Sequence, residues 1–485
     1  MAGIGVRLNK IYSKNTIATS LFGFGYSAVI TIAPMFLVIA ATMLMQWMLG
    51  FSKSGYAVRE LYSCTILYIF VFSLLTSSPF NAVLSKYLSD VIYRDSYEDI
   101  LPCFYVGLFI NIILSAVMGI LFCIREYYVG GIDIVFILAG YCGYVTMVLV
   151  FYAMLYLAIC KDYKKISVFF LIGMIFAILV SLLLVKVFKV ETALGMLISM
   201  DAGFLLIATL EFALVRGYFR ENSGRYKAVF AYFREYWPLM VTNFLYTLGL
   251  FIHNFVFWMS DGRTEVSNCF VCMNSYDLAT CIAMFTNLSS TVIFISRVEM
   301  NFHERYKNYS EAVIGGRGID IKNAKTKMFE QLAEELMSLV RIQFIVSVTI
   351  FLLAMIFLPR LGYGGIVMQI YPCLAAGYFI LFTMYAAIIF LYYYNDMTGA
   401  LLTALIFCVI TFFGTLFATG LTQIWYGIGL TAGSLAGWIF AYMRLRYIEK
   451  NLDTMVFCNG SIMKRGRGHK PTNLVYYRKV GRGRK

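Results

Sequence analysis

Long apolar runs alternate with short polar segments along the whole chain. Each run holds about 20 predominantly apolar residues, the length that an α-helix needs to cross the hydrocarbon core of a bilayer. Strands of a membrane barrel would instead alternate apolar and polar positions over about 10 residues. We therefore predict twelve membrane-spanning helices, at residues 20–49, 62–88, 101–123, 133–160, 166–186, 193–215, 237–259, 272–296, 342–359, 366–393, 397–420 and 422–442.

The composition predicts the same class, an all-α polytopic membrane protein. Hydrophobic residues make up 61% of the 485 residues and charged residues 14%, against about 45–50% and about 25% in soluble domains. The first apolar run extends from Leu21 to about Leu49. It is too long for the hydrophobic region of a signal peptide, about 7–15 residues. We therefore expect this run to remain as the first span.

The distribution of Lys and Arg predicts the orientation of the chain. If the N-terminus is cytoplasmic, the inside segments carry 33 of the 40 Lys and Arg residues and the outside loops carry 7. Cytoplasmic loops of membrane proteins carry an excess of this kind. Both termini are therefore predicted to be cytoplasmic, and the inside segments account for most of the net charge of +14.

A long basic inside loop divides the predicted spans into two groups of six. We predict a first bundle at 1–215, a linker at 216–236, a second bundle at 237–442 and a basic tail at 443–485. The division depends on loop length and charge, because the two halves are not visibly alike in sequence.

The second bundle contains a longer cytoplasmic loop, residues 297–341, with a predicted amphipathic helix. Its segment KNAKTKMFEQLAEELMSLVR repeats apolar residues at the spacing of one helical face, namely Phe329, Leu332, Leu336, Leu339 and Val340. We expect this helix to lie in the headgroup layer of the membrane. A docking surface for a cytoplasmic partner is the alternative.

The tail ends in the basic sequence KRGRGHKPTNLVYYRKVGRGRK. A segment of this kind gains about 1 kcal/mol per basic residue next to anionic lipids. We therefore predict that it contacts anionic lipids rather than nucleic acid.

Enzyme motifs are absent from the sequence. It has no D-x-D triplet, no G-x-x-x-x-G-K-[ST] loop and no H-E-x-x-H, and its three histidines are His253, His303 and His469. The pair in Cys269-x-x-Cys272 stands alone, whereas a structural zinc site needs four ligands. We therefore predict no enzymatic activity, no cofactor and no metal.

Polar residues inside the predicted spans are the candidates for a transport pathway. An Asp at mid-span costs about 2.5–3.5 kcal/mol, so Asp201 and Asp277 should face a partner or a wet cavity. For the amides and hydroxyls, hydrogen bonds between helices, worth about 0.6 kcal/mol each, are the alternative interpretation. The candidates are Asn81, Asp201, Glu211, Asn243, Tyr246, His253, Asn254, Asp277, Asn287 and Asp396.

Three prolines, Pro34, Pro79 and Pro238, lie inside predicted spans. A proline there can kink its helix, and kinked or broken helices often line the cavities of transporters. Static kinks are equally common, so these residues are predicted helix kinks with no assigned function.

Five stretches of the sequence resemble one known family. They are MAGIGVRLNKIYSKN, GYSAVITIAPMFLVI, TSSPFNAVLSKYLSDVIY, FYAMLYLAICKDYKKISVFFLIG and YDLATCIAMFTNLSSTVIFISRVEMNFHERYKNYSEAV. Together and in this order they resemble the Pel exopolysaccharide transporter family (PelG). That family is similar to the multidrug/oligosaccharidyl-lipid/polysaccharide exporter superfamily.

The resemblance implies two six-helix bundles around a central cavity that opens to alternate sides. It implies export of a hexosamine-rich polysaccharide across the bacterial cytoplasmic membrane for the biofilm matrix. A cytoplasmic glycosyltransferase and a cyclic-di-GMP-responsive membrane protein would be its partners. The chain has Ala33-Pro34 where the family has Gly-Pro, which argues against a glycine-dependent break there. Residues that match family positions are Pro34, Pro79, Asp90, Tyr276, Asp277, Glu299 and Tyr306.

Our hypothesis from the sequence is a polysaccharide exporter that works by alternating access. Asp201 or Asp277 would couple transport to a proton or sodium ion, or synthesis of the polymer would push it through. The alternatives are a lipid-linked oligosaccharide flippase or drug exporter of the same superfamily, a membrane-embedded transferase, and a scaffold for a polysaccharide synthase.

Overall fold

The computed structural model describes residues 17–159, 163–288, 299–360, 362 and 364–457. Within these ranges, the side chains of residues 17–32, 93, 159, 163, 299–301, 303 and 455–457 are not described. The family-position residue Glu299 therefore has no described side chain. The end of the basic tail, and with it the predicted contact with lipids, lies outside the described residues.

Fourteen α-helices and one β-hairpin form the described part of the chain, together with short 3-10 and π turns. The helices are α1 (Ile17–Leu49), α2 (Tyr56–Tyr93), α3 (Ile100–Tyr128), α4 (Ile134–Ile159), α5 (Tyr163–Leu182), α6 (Thr192–Tyr218), α7 (Tyr226–Glu235), α8 (Trp237–Trp258), α9 (Asn274–Asn287), α10 (Glu299–Gly315), α11 (Gly318–Arg360), α12 (Ile366–Tyr393), α13 (Met397–Ala418) and α14 (Ile428–Phe457). The hairpin consists of β1 (Thr264–Val266) and β2 (Phe270–Cys272).

Ten of the described helices are long and apolar enough to cross a membrane. They correspond to ten of the twelve predicted spans. The first and eighth spans are only partly described, because the side chains of α1 are described from residue 33 and α9 ends shortly before residues 289–298. The predicted class, an all-α polytopic membrane protein, is confirmed.

The buried apolar residues form two separate cores. The first core collects side chains from α1 to α6, from α7 and from the hairpin. The second collects side chains from α8 to α14. We call α1–α6 the first lobe and α8–α14 the second lobe. The domain boundaries at 215, 236 and 442, which were predicted from loop length and charge, stay a prediction. The hairpin is notable because it follows α8 in sequence and yet packs with the first core.

The hairpin occupies a stretch for which the sequence predicted only a loop and the start of span eight. Its strands pair antiparallel, with Thr264 opposite Cys272 and Val266 opposite Phe270. The turn contains Ser267 and Asn268, both at a positive φ of 51°, a conformation that asparagine tolerates better than most residues. Span eight therefore begins at Asn274 of α9, two residues later than predicted.

The helix predicted for the cytoplasmic loop is continuous with the ninth span. Both belong to α11, a single helix of 43 residues. Its apolar face, including Phe329, Leu332 and Leu339, is buried in the second core, and the Phe329 ring stacks on Tyr394 at 5.5 Å between centroids. The expectation that this face lies in the headgroup layer is therefore wrong, since the protein itself covers it.

The predicted prolines fall into two groups. Pro34 and Pro79 lie within α1 and α2, as expected. Pro238 lies in the first turn of α8, which begins at Trp237. A proline in the first turn has no helical hydrogen bond to lose. The predicted kink at Pro238 is therefore wrong, and this residue starts the helix.

Helices α13 and α14 pack closely because glycines recur at every fourth position of α14. Gly429, Gly433 and Gly437 share one face, and small residues at this spacing allow two membrane helices to approach. A Cβ atom added at Gly433 would collide with the hydroxyl of Thr411 and lie 2.8 Å from its backbone nitrogen. The packing of the second lobe therefore depends on these glycines.

We predict that Gly433→Ala lowers the thermal unfolding midpoint of the detergent-purified protein. Overpacking of a close contact costs about 1–3 kcal/mol, more than the gain of alanine over glycine in a helix, about 1 kcal/mol. The control is Gly217→Ala in α6, where an added Cβ meets nothing within 4 Å. An unchanged midpoint for Gly433→Ala would contradict the proposed role of the glycine face.

Candidate functional site

The two lobes meet along a row of stacked aromatic rings between α2 and α8. Tyr68 stacks on Trp258 with ring centroids 5.1 Å apart and an interplanar angle of 6°. One turn further along α2, Phe72 stacks on Phe255 at 5.9 Å. Aromatic pairs of this kind contribute about 0.5–1.5 kcal/mol each beyond the burial of their area. The row therefore holds the lobes together at the end of the molecule that carries the hairpin.

The hairpin is fastened to α2 through its backbone. The hydroxyl of Tyr68 donates to the carbonyl oxygen of Val271 at 2.9 Å and accepts from the backbone nitrogen of the same residue at 3.1 Å. At the start of α9, the Asn274 amide donates to Glu60 at 2.6 Å. These bonds connect the first lobe to the entry of a second-lobe helix.

Asp277 is the centre of a polar cluster just beneath the hairpin. Its carboxylate accepts hydrogen bonds from the Asn254 amide at 2.7 Å, from the Trp258 indole at 3.0 Å and from the backbone nitrogen of Met273 at 3.0 Å. Hydrogen bonds to a charged acceptor are stronger than neutral ones. Asp277 therefore ties α8 to the first turn of α9.

His253 lies in a second, fully buried cluster beside the first. Its Nδ1 atom is 2.8 Å from the hydroxyl of Tyr276, and its Nε2 atom is 3.5 Å from the hydroxyl of Tyr378. The three side chains come from α8, α9 and α12 and are not exposed to solvent. These contacts indicate that His253 and the family-position residue Tyr276 pack the three helices together.

Asn287 forms a network between α9, α11 and α12. Its amide donates to the Ala375 carbonyl at 3.0 Å, and its side-chain oxygen accepts from the Ser347 hydroxyl at 2.7 Å. Gln343 donates to Ser347 at 2.6 Å. All four residues are buried. Asn287 therefore forms hydrogen bonds between helices, which is the alternative interpretation given for the amides above.

Asp396 is also held by the protein. It caps α13 by accepting from the backbone nitrogen of Gly399 at 3.1 Å. Its two oxygens accept from the Arg444 guanidinium of α14 at 2.5 and 3.1 Å. Only 6% of Asp396 is exposed, so this carboxylate anchors α14 to the start of α13.

The two candidate carboxylates of the first lobe, Asp201 and Glu211, lie in a different environment, on α6. Glu211 is fully buried, and neither of its carboxylate oxygens has a hydrogen-bond partner among the described residues. Asp201 is half-buried and lies against Gly143 of α4, at a distance that excludes any side chain there. A carboxylate at this depth is expensive without a partner and marks functional positions in membrane proteins.

The remaining candidates within the spans are half-buried. Asn81 of α2 has a side-chain oxygen without a partner among the described residues. Tyr246 of α8 stacks on Tyr385 of α12 at 4.5 Å between ring centroids. Asn243 lies one turn before Tyr246 on the same helix and is also partly accessible. Tyr246 therefore packs within the second lobe, whereas Asn81 belongs to the first.

Two family-position residues lie at the opposite end of the spans from the hairpin. Asp90 of α2 accepts from Lys86 at 2.8 Å and from the Tyr232 hydroxyl of α7 at 3.2 Å. Burial, together with the charge of Asp90, raises the pKa of Tyr232, so this hydroxyl keeps its proton at neutral pH. Tyr306 of α10 packs against Tyr393 of α12 at 5.9 Å.

The structure thus brings together only some of the predicted candidates. Asn254 and Asp277 share one cluster, with His253 and Tyr276 beside it, whereas Asp201 and Glu211 lie in the other lobe. The sequence analysis missed Tyr68 and Trp258, which connect the lobes. Within the described residues, no group of three or more His, Cys, Asp or Glu side chains could hold a metal ion.

Several solved structures share this architecture. A multidrug resistance MATE family transporter of the MOP superfamily matches in its inward-facing conformation with a TM-score of 0.56 and 12% identity, over 87% of this chain and 99% of that chain. The outward-facing conformation of such a transporter gives 0.55 and 11%, over 88% and 96%. A MATE structure in the bent conformation gives 0.57 and 12%, over 89% and 96%. The fold is therefore that of MATE transporters.

The sequence narrows this class to one family. The model of the PelG family, described as "Putative exopolysaccharide Exporter (EPS-E)", matches residues 1–457. The chain belongs to the PelG family, and it is a multi-pass membrane transporter. Among curated proteins no match was found.

We predict that Asp277→Asn lowers the thermal unfolding midpoint. Three donors converge on this carboxylate, and an amide would place its own N–H groups against some of them. Loss of hydrogen bonds to a charged group costs about 1.5–3 kcal/mol. The control is Asp261→Asn, an exposed residue in the turn before the hairpin. Equal midpoints for both variants would show that Asp277 does not join α8 to α9.

Proposed function

We propose that this protein exports a Pel-type, hexosamine-rich polysaccharide across the bacterial cytoplasmic membrane by alternating access. The observation that carries the proposal is the match to the PelG family model over residues 1–457. The two-core fold supports it, because two lobes that meet along a limited seam can separate at one end and close at the other. That the protein is a membrane transporter follows from its family and fold and does not depend on this proposal.

The orientation belongs to the same proposal. With both termini cytoplasmic, as the excess of Lys and Arg favours, the hairpin lies on the outer side of the membrane. The stacked pairs Tyr68–Trp258 and Phe72–Phe255 would then close the outer end between the lobes. In this state the polymer would enter from the cytoplasm, and separation of α2 from α8 and the hairpin would release it outside.

The half-buried amides and the ring among the candidates fit a sugar polymer. A pyranose ring presents C–H faces that pack on aromatic rings and hydroxyls that bond to amides. Tyr246, Asn243 and Asn81 offer both kinds of surface. Several weak contacts of this kind together can bind a flexible polymer. Each single contact is weak enough to break as the polymer passes. We propose these three residues as substrate contacts.

Asp201 and Glu211 are our proposed coupling residues. Both belong to α6, ten residues apart, and the absence of a described partner for Glu211 leaves room for a proton or a sodium ion. Neutralising such a charge would remove the expense of burying it. The alternative is export driven by polymer synthesis in a cytoplasmic glycosyltransferase. That enzyme and a cyclic-di-GMP-responsive membrane protein are the partners we propose.

The decisive test of the proposed function is deletion of the gene and location of the polymer. We expect extracellular polymer to be lost and to return when the wild-type gene is supplied on a plasmid. Polymer should then be measured in the medium, in the cytoplasm and in the lipid fraction. Accumulation of lipid-linked repeats would identify a flippase instead. Unchanged extracellular polymer would overturn the proposal.

We predict that Asp201→Asn and Glu211→Gln lose export while remaining folded. Because each removes a buried negative charge, their unfolding midpoints should equal or exceed that of the wild type. The matched control is Glu191→Gln, an exposed glutamate at the start of the same helix, which should export normally. If both variants export at the wild-type rate, ion coupling through α6 is wrong.

A further inference from the structure

Two thiols face each other where the hairpin meets the first lobe. The sulfur atoms of Cys64 in α2 and Cys272 in β2 are 3.0 Å apart. Both residues are buried, with 1% and 0% of their surface exposed. A disulfide needs a separation of about 2.05 Å, so a movement of about one ångström would bring the sulfur atoms to bonding distance.

The surroundings hold this pair in register. The Tyr68 hydroxyl, one helical turn after Cys64, binds both backbone groups of Val271, the residue before Cys272. On the other side, Asn274 donates to Glu60, one turn before Cys64. Contacts on both sides therefore fix the two cysteines opposite each other, although 208 positions separate them in sequence.

We propose that Cys64 and Cys272, free thiols in the structure, are a site of reversible covalent modification. On oxidation they form an interlobe disulfide that fastens α9 to α2 and keeps the lobes closed at the hairpin. Disulfides form in oxidising compartments outside the cytoplasm, and the hairpin lies on the proposed outer side. The effect on transport and the exposure of the hairpin to an oxidising compartment rest on the proposed function, whereas the pairing of the two cysteines does not.

The reaction is a thiol–disulfide exchange with a disulfide-bearing thiol oxidase. When the hairpin lifts from α2, one cysteine thiolate attacks the disulfide of the oxidase, forms a mixed disulfide and releases one thiol of the oxidase. When the hairpin closes, the second cysteine attacks the mixed disulfide and releases the other thiol. Two cysteine thiols are oxidised, the disulfide of the oxidase is reduced to two thiols, and the two protons end on those thiols.

Cys269 provides the natural control. It lies in the same hairpin and is equally buried, at 1% exposure. It packs instead against Gly130, between α3 and α4, where a Cβ atom added to the glycine would lie 3.1 Å from that of Cys269. If position in the hairpin alone determined reactivity, Cys269 would cross-link as well as Cys272. If the geometry determines it, only Cys272 will pair with Cys64.

The first measurement is the bond itself. Membranes that contain the full-length protein are treated with diamide, free thiols are alkylated after denaturation, and peptides are analysed by mass spectrometry without reduction. We expect a linked peptide pair with Cys64 and Cys272, and nine alkylated cysteines instead of the eleven in the chain. Cys269→Ser should retain the link, whereas Cys64→Ser and Cys272→Ser should lose it. Absence of the Cys64–Cys272 link, or a link through Cys269, would overturn the proposed pair.

The second measurement is export under oxidation. We expect diamide to reduce polymer export by wild-type cells to the level of the deletion strain, and dithiothreitol to restore it. Cys64→Ser cells should export normally with and without diamide, which separates the bond from general oxidative damage. Unchanged export by protein shown to be linked would overturn the closure of the lobes by this bond. If no strain exports polymer through this protein, the proposed function fails, and the mass measurement still decides the bond.

Discussion

The seam between α2 and the segment formed by α8, the hairpin and the start of α9 is the interaction on which the two-lobe arrangement depends. Within a bilayer, apolar side chains gain little from leaving lipid for another helix, because lipid tails are as apolar as leucine. The seam therefore uses contacts that lipid cannot replace. These are the stacked Tyr68 and Trp258 rings, the paired hydrogen bonds to Val271 and the bond between Asn274 and Glu60.

The candidate polar groups differ in whether the protein supplies them with partners, which lipid cannot do. In the second lobe, Asp277, Asn287 and Asp396 each accept hydrogen bonds from neighbouring helices or from an arginine. In the first lobe, Glu211 is buried without a partner among the described residues. Satisfied groups stabilise an assembly, while a carboxylate without a partner inside a span is a candidate functional position.

The sequence predicted the spans well, because lipid imposes a minimum apolar length that can be read without knowing any contact. It could not predict the hairpin, since strands of three residues are too short to show an alternating pattern. Pro238 was misjudged although the predicted span already began at residue 237, because a proline in the first turn of a helix has no helical hydrogen bond to lose. For Asp277 the sequence left a partner or a wet cavity open, and for Asn287 a transport role or bonds between helices. Only the helices packed around them identify the contacts that each residue makes.

Helix α11 continues without interruption from the predicted cytoplasmic loop into the ninth span. At 1.5 Å per residue, its 43 residues extend about 65 Å, roughly twice the thickness of the hydrocarbon core. Because the helix is continuous, a displacement of its end near Gly318 would move the ninth span with it.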